Sequence, residues 1–129
     1  MIVVDSAAVV DALTAVAGTD ELRDRLSRET LHAPHLIDFE VVSALRGLTL
    51  GGHLSVNRVE DLLIDFNDLP LHRWPSADAL RRRAFQLRDN VSAYDAAYVA
   101  LAEAMDCPLV TRDGRLNRSS GHSARIELR

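Results

Sequence analysis

Four acids, Asp5, Glu40, Asp95 and Asp113, are the residues whose types and placement could do chemistry together. Asp5 closes the apolar run Ile2-Val3-Val4. Glu40 lies within Ile37-Asp38-Phe39-Glu40-Val41-Val42, three residues after Ile37 and four before Ala44, so it shares their helix face. A carboxylate on an apolar face is costly unless it is paired or bound to a cation. Carboxylates gathered on one rim also repel, and each raises the pKa of the next. A divalent ion among them removes that conflict. Oxygen donors without histidine or thiolate spacing favour Mg²⁺, with Mn²⁺ as a substitute. Such an ion polarises a phosphate and lowers the pKa of bound water, which is the chemistry of phosphodiester hydrolysis.

Each acid also has a plainer role open to it. Asp5 could simply end a strand. Ser92-Ala93-Tyr94-Asp95 has the form of a capping box. Asp113-Gly114 is a common turn pair. Glu40 could pair with Arg46 or another arginine. The case for a joint site therefore rests on the elements that position these residues.

Apolar spacing predicts strands at Ile2 to Asp5, Leu31 to Ala33, Pro70 to Trp74, Pro108 to Thr111 and Ala124 to Leu128. Between them run helical stripes: Val9, Val10, Leu13 and Val16 after a cap at Ser6; Leu22 and Leu26; Ile37, Val41, Ala44, Leu45 and Leu48. Further stripes are Val56, Val59, Leu62, Leu63 and Phe66 after a cap at Ser55; Ala77, Leu80, Ala84 and Leu87; and an alanine-rich helix from Ser92 to about Asp106. Strands alternating with helices predict an α/β fold, a mostly parallel central sheet covered on both faces. In such a sheet, ligands bind beyond the carboxyl ends of the strands. Asp5 and Asp113 follow two strands at that edge. Glu40 is near the start of a helix leaving a strand. Asp95 is in the first turn of a helix that feeds one, so the topology brings all four to one rim.

The bulk composition narrows the class. A chain of 129 residues suits one domain, read here as residues 1–129. No apolar run reaches membrane-spanning length, and the opening Met1-Ile2-Val3-Val4-Asp5 lacks the basic region of a signal peptide, so the expected location is the cytoplasm. The single Cys107 rules out an intrachain disulfide or a cysteine zinc cluster. The formal charge of −4 opposes binding to phosphates, but the four acids alone account for that excess. All 15 basic residues are arginine, which suits bidentate phosphate contacts. Arg112, Arg115 and Arg118 flank Asp113 and are candidate RNA contacts. Arg81, Arg82, Arg83 and Arg88 share one helix and read as a solvated face or as a contact to an RNA backbone or a partner. The five histidines show no HExxH-like spacing, and there is no phosphate-binding Gly-rich loop.

Four segments in order resemble the PIN-domain family, and in particular the VapC toxins of VapBC toxin–antitoxin pairs. They are Ile2-Val3-Val4-Asp5-Ser6-Ala7, Glu40-Val41-Val42-Ser43-Ala44-Leu45-Arg46, Ala93-Tyr94-Asp95-Ala96-Ala97-Tyr98-Val99-Ala100-Leu101-Ala102, and Leu109-Val110-Thr111-Arg112-Asp113-Gly114-Arg115-Leu116. The resemblance covers nearly the whole chain. It implies a three-layer α/β/α, Rossmann-like fold and a Mg²⁺- or Mn²⁺-dependent endoribonuclease acting on structured RNA such as tRNA or rRNA. It also implies a homodimer and a small VapB-like antitoxin through which alone operator DNA is bound. By motif, Asp5, Glu40, Asp95 and Asp113 take the family's acidic positions as catalytic and metal-binding residues, with Ser6 and Thr111 in supporting places. Some PIN proteins carry a further acid after the fourth; Gly114, Arg115, Leu116 and Asn117 stand there, which leaves a second metal site short of a ligand. The competing readings are a PIN-type nuclease outside any toxin–antitoxin pair and a catalytically silent binding module. A haloacid-dehalogenase-like enzyme would need an acid where Ala7 stands, and a response-regulator receiver would need a lysine that the chain lacks.

Overall fold

The computed structural model describes residues 1–129 and contains five strands, β1 (Ile2–Val4), β2 (Leu31–Pro34), β3 (Leu71–Trp74), β4 (Leu109–Thr111) and β5 (Ile126–Leu128). They form one sheet in the order β3-β2-β1-β4-β5, and every neighbouring pair is parallel. Strand β1 lies at the centre, with Val3 beside His32 on one edge and beside Leu109 on the other. A strand covered on both faces needs an unbroken apolar run. Ile2, Val3 and Val4 are fully buried, as are Leu109 and Val110 of β4.

Seven helices connect and cover the strands: α1 (Ser6–Thr14), α2 (Asp20–Ser27), α3 (Ile37–Leu50), α4 (Val56–Asp68), α5 (Asp78–Gln86), α6 (Ala93–Met105) and α7 (Gly114–Asn117). Helix α6 packs on β1, β2 and β4 with α5 beside it, while α1, α3 and α4 pack together. This is the α/β/α arrangement expected. The helix stripes explain the packing: Ile37, Val41 and Leu45 of α3 and Leu62 and Phe66 of α4 are buried at helical spacing. Truncating one of these large side chains to alanine is expected to cost about 2–5 kcal/mol. No helix is long and apolar enough to cross a membrane.

Several details differ from the expectations. The cap of α1 is Asp5, not Ser6: its extended backbone precedes the helix and its carboxylate accepts from the Ala8 amide at 2.9 Å. Helix α1 also stops before Val16, because Ala15 takes a left-handed conformation with φ 51°, and Val16 is left exposed. Pro34 is the last residue of β2 rather than its stop, and pairs in register with Trp74. In a parallel strand's final position its missing N–H costs no ladder bond, and the next amide, of His35, donates to the Trp74 carbonyl. The short α7 has no apolar period of its own and was not foreseen.

Candidate active site

The centre of the site is Asp5, at the carboxyl end of the central strand. Its side chain is 7% exposed and is held from two sides. One oxygen caps α1, and the other accepts from the hydroxyl of the fully buried Thr111, at the end of β4. The same Thr111 oxygen accepts from the Asp113 amide at 2.9 Å. One hydroxyl thus links the ends of the two adjacent strands and fixes Asp5 relative to the backbone of Asp113. Burial pushes the Asp5 carboxyl up to about 6; the bonds from Thr111 and Ala8 oppose the shift, and the charges of Asp95 and Asp113 add to it.

Glu40 rises from α3 beside this centre. The expected alternative, a salt bridge to Arg46, is not formed. The Tyr98 phenol of α6 donates to Glu40 Oε1 at 2.5 Å. Burial raises the Glu40 pKa, the Tyr98 hydroxyl lowers it, and the nearby Asp95 raises it. Tyr98 is itself buried and its pKa is raised, first by burial and then by Glu40; the Ser6 hydroxyl lies beside its phenol and opposes the shift. Tyr98 is the site residue that sequence reading passed over. Its position three after Asp95 was the available signal, since that spacing puts both on one side of α6.

Asp95 is half-buried in the first turn of α6. Ser92 caps that helix by accepting from the Asp95 amide at 3.3 Å, but the Asp95 carboxylate makes no return bond, so only half of the capping box exists. Asp113 caps α7, accepting from the Arg115 amide at 2.8 Å, and its other oxygen meets the Arg115 guanidinium at 3.1 Å. That guanidinium holds the Asp113 carboxyl below the usual carboxylate range.

Asp5 therefore lies close enough to Asp95 and Asp113 to feel both, and Glu40 joins through Asp95 and Tyr98. No three of the acids close around a single point as a finished ion cage. The donor chemistry still fits a hard divalent cation: the donors are carboxylates, no imidazole or thiolate intervenes, and the most buried acid lacks a cationic partner. Of the flanking arginines, Arg112 is paired with Asp11 at 2.7 Å, whereas Arg115 is largely exposed and Arg118 lies over Gly114.

The PIN-domain family model matches residues 2–121. The chain belongs to the PIN-domain family. Among curated PIN-domain relatives it is 44% identical over 129 residues to Ribonuclease VapC12 of Mycobacterium tuberculosis, covering 99% of this chain and 98% of that protein. The PIN fold also matches the crystal structure of PAE2754 from Pyrobaculum aerophilum, with TM-score 0.71, 24% identity, and coverage of 97% of this chain and 81% of that one. A further match is VapBC2 from Rickettsia felis, solved bound to a DNA fragment from its promoter, with TM-score 0.64, 15% identity, and coverage of 99% and 98%.

Proposed function

We propose that this PIN domain is a metal-dependent endoribonuclease of the VapC type, acting on structured RNA such as tRNA or rRNA as the toxin of a toxin–antitoxin pair. The observation that carries the reading is Asp5: a buried carboxylate fixed by Thr111 and the α1 cap, near Asp95 and Asp113, with no basic side chain paired to it. The high identity to a protein named a ribonuclease supports the same conclusion.

In this reading Asp5, Asp95 and Asp113 hold a Mg²⁺ ion, or Mn²⁺ in its place, with Glu40 beside them. When bound, that ion supplies Lewis acidity toward phosphate and an acidified water. Thr111 positions Asp5 by its hydrogen bond, and Tyr98 orients Glu40. The raised Glu40 pKa, whose main cause is burial, suits it to hold a proton transiently near the reacting phosphate. Asp113, now paired with Arg115, would be one of the ion's carboxylate ligands, and the largely exposed Arg115 guanidinium would be available to an RNA phosphate, with Arg118 placed to assist. Arg112, tied to Asp11, contributes less directly.

The partners follow from the same reading. The apolar Phe39 and Val42 of α3 and Val56 and Ile64 of α4 are exposed. A second copy and a VapB-like antitoxin cover such a surface, and operator DNA is reached only through the antitoxin. The test of the activity is cleavage of end-labelled tRNA and rRNA fragments with Mg²⁺ and with EDTA. Cutting that needs the metal and disappears in Asp5→Asn is expected; full cutting in EDTA by protein free of contaminating nuclease overturns the metal mechanism.

A further inference from the structure

Beside the acid rim lies a second feature that the carboxylates do not use. A cleft of about 610 Å³ opens between the carboxyl ends of β2 and β3 and helices α5 and α6. Its walls carry three aromatic rings, Trp74, Phe85 and Tyr94, with Arg81, Arg88 and His35 among them, and no acid lines it. The rings are open to solvent: Phe85 is 68% exposed and Tyr94 69%. Trp74 is held in place because its Nε1–H donates to His32 Nδ1 at 3.0 Å. The Arg88 guanidinium lies 4.7 Å over the Phe85 ring and pairs with no carboxylate.

Cleft and rim share one helix as their divide. On α6, Asp95 and Tyr98 point one way, to Glu40 and Asp5; Tyr94 and Ala97 line the cleft on the adjoining side. A polymer whose phosphate sits at the acids therefore has its neighbouring unit beside the aromatic rings. The cleft is apolar and cationic where the rim is anionic. That division matches a nucleotide, with a flat base for the rings and a phosphate for the free arginine. Unpaired RNA bases are held by stacking on aromatic and guanidinium planes, whereas a duplex offers no free base face.

We propose that this cleft is a base-binding subsite, which takes an unstacked, single-stranded nucleotide flanking the scissile phosphate and so directs cleavage to loops rather than duplex RNA. The proposal rests on the ribonuclease reading for its substrate class. Trp74 is the only tryptophan in the chain, so its emission reports on the cleft itself.

The experiment titrates a mixed-sequence single-stranded hexaribonucleotide into the intact protein in EDTA, where the proposed metal chemistry is absent, and follows Trp74 emission. Saturable quenching is expected for the single strand and none for the same sequence as a blunt duplex. Tyr94→Ala and Phe85→Ala should each weaken binding about tenfold, and Tyr94→Phe, which keeps the ring, should restore it. Unchanged Trp74 emission, or equal affinity in wild type and Tyr94→Ala, overturns the subsite. Quenching by a VapB-like antitoxin, with none by RNA, overturns it in favour of a protein-docking cleft. Mg²⁺-dependent cleavage that persists with the cleft silent would leave the nuclease reading intact. Quenching without cleavage would remove the nuclease and leave a base-binding cleft.

Discussion

Asp5 caps a helix and also carries a buried charge, and the two pull stability in opposite directions. Its carboxylate caps α1, which favours the fold, yet burial raises its pKa to about 6 from an ordinary 3.8. A group whose pKa is raised on folding stabilises the protein below its unfolded value, and that contribution is lost as pH rises through the folded one. Metal-free protein should therefore lose up to about 3 kcal/mol through this residue between pH 4 and 7. Asp5→Asn keeps a capping oxygen and sheds the charge. It is expected to be more stable than wild type at pH 7 in EDTA, by urea melts, while RNA cleavage falls at least about a hundredfold. A mutant less stable than wild type at every pH would mean that the charge is well compensated. A second expectation concerns Tyr98→Phe. It strips Glu40 of its one hydrogen bond, to a buried and charge-assisted donor, and should cost about 1.5–3 kcal/mol in the same melts. The gathering of the four acids on one edge was legible in the sequence because topology places strand ends and helix starts there. Tyr98 was not, because a tyrosine within an alanine-rich apolar stripe has the same pattern as core, and core is also what most of its ring is.

At the level of elements, the start of α6 leaves capping to Ser92. Asp95 makes no return bond, so its carboxylate stays available to the proposed ion. Ser92→Ala should cost about 0.5–2 kcal/mol with or without Mg²⁺. Asp95→Asn should leave the metal-free protein as stable as before, but lose most of the stabilisation that millimolar Mg²⁺ gives wild type. Equal Mg²⁺ stabilisation in wild type and Asp95→Asn would remove Asp95 from the metal site. The β2–β3 pair carries another titrating contact. His32 is buried, stacks on His72 at 4.9 Å, and accepts the Trp74 indole N–H, and burial lowers its pKa below the ordinary 6.5. A depressed histidine stabilises above its unfolded pKa, and that stability is lost as pH falls below about 6.5. Wild type should weaken more than His32→Gln between pH 7 and 5.5; comparing the two proteins at each pH cancels the opposite trend from Asp5. The strands and long helices here were readable from apolar period alone. Helix α7 was not, since four residues held by the Asp113 cap and tertiary contacts carry no periodic signal. The cap at Asp5 was misassigned to Ser6 because either residue type can cap, and only the backbone shows which one precedes the turn.

For the molecule as a whole, helices bury the three central strands of the sheet, while α3 and α4 leave Phe39, Val42, Val56 and Ile64 in water. An isolated domain gains little by such exposure, so assembly should follow. Sedimentation at micromolar concentration is expected to give a dimer, and its VapB-like antitoxin should bind it and suppress cleavage. Phe39→Glu, at a side chain 80% exposed, should weaken one or both associations without lowering thermal stability. A monomer that ignores that protein would contradict the toxin–antitoxin assignment. The sequence shows apolar stripes on both of these helices. It could not say which of them the core would take, because that depends on how α1 packs between α3 and α4.

The central place of β1 has a consequence for synthesis. The first strand made pairs on one side with β4, through Val3 with Leu109 and Val4 with Val110, and the Thr111 that fixes Asp5 comes at the end of that partner. A nascent chain released short of β4 has a bare edge on its middle strand and no anchor for its central acid. At about 5–20 residues per second, translation keeps the chain in this state for seconds. The proposed activity therefore has to await β4, and fragments that end before Thr111 should leave the RNA around them uncut.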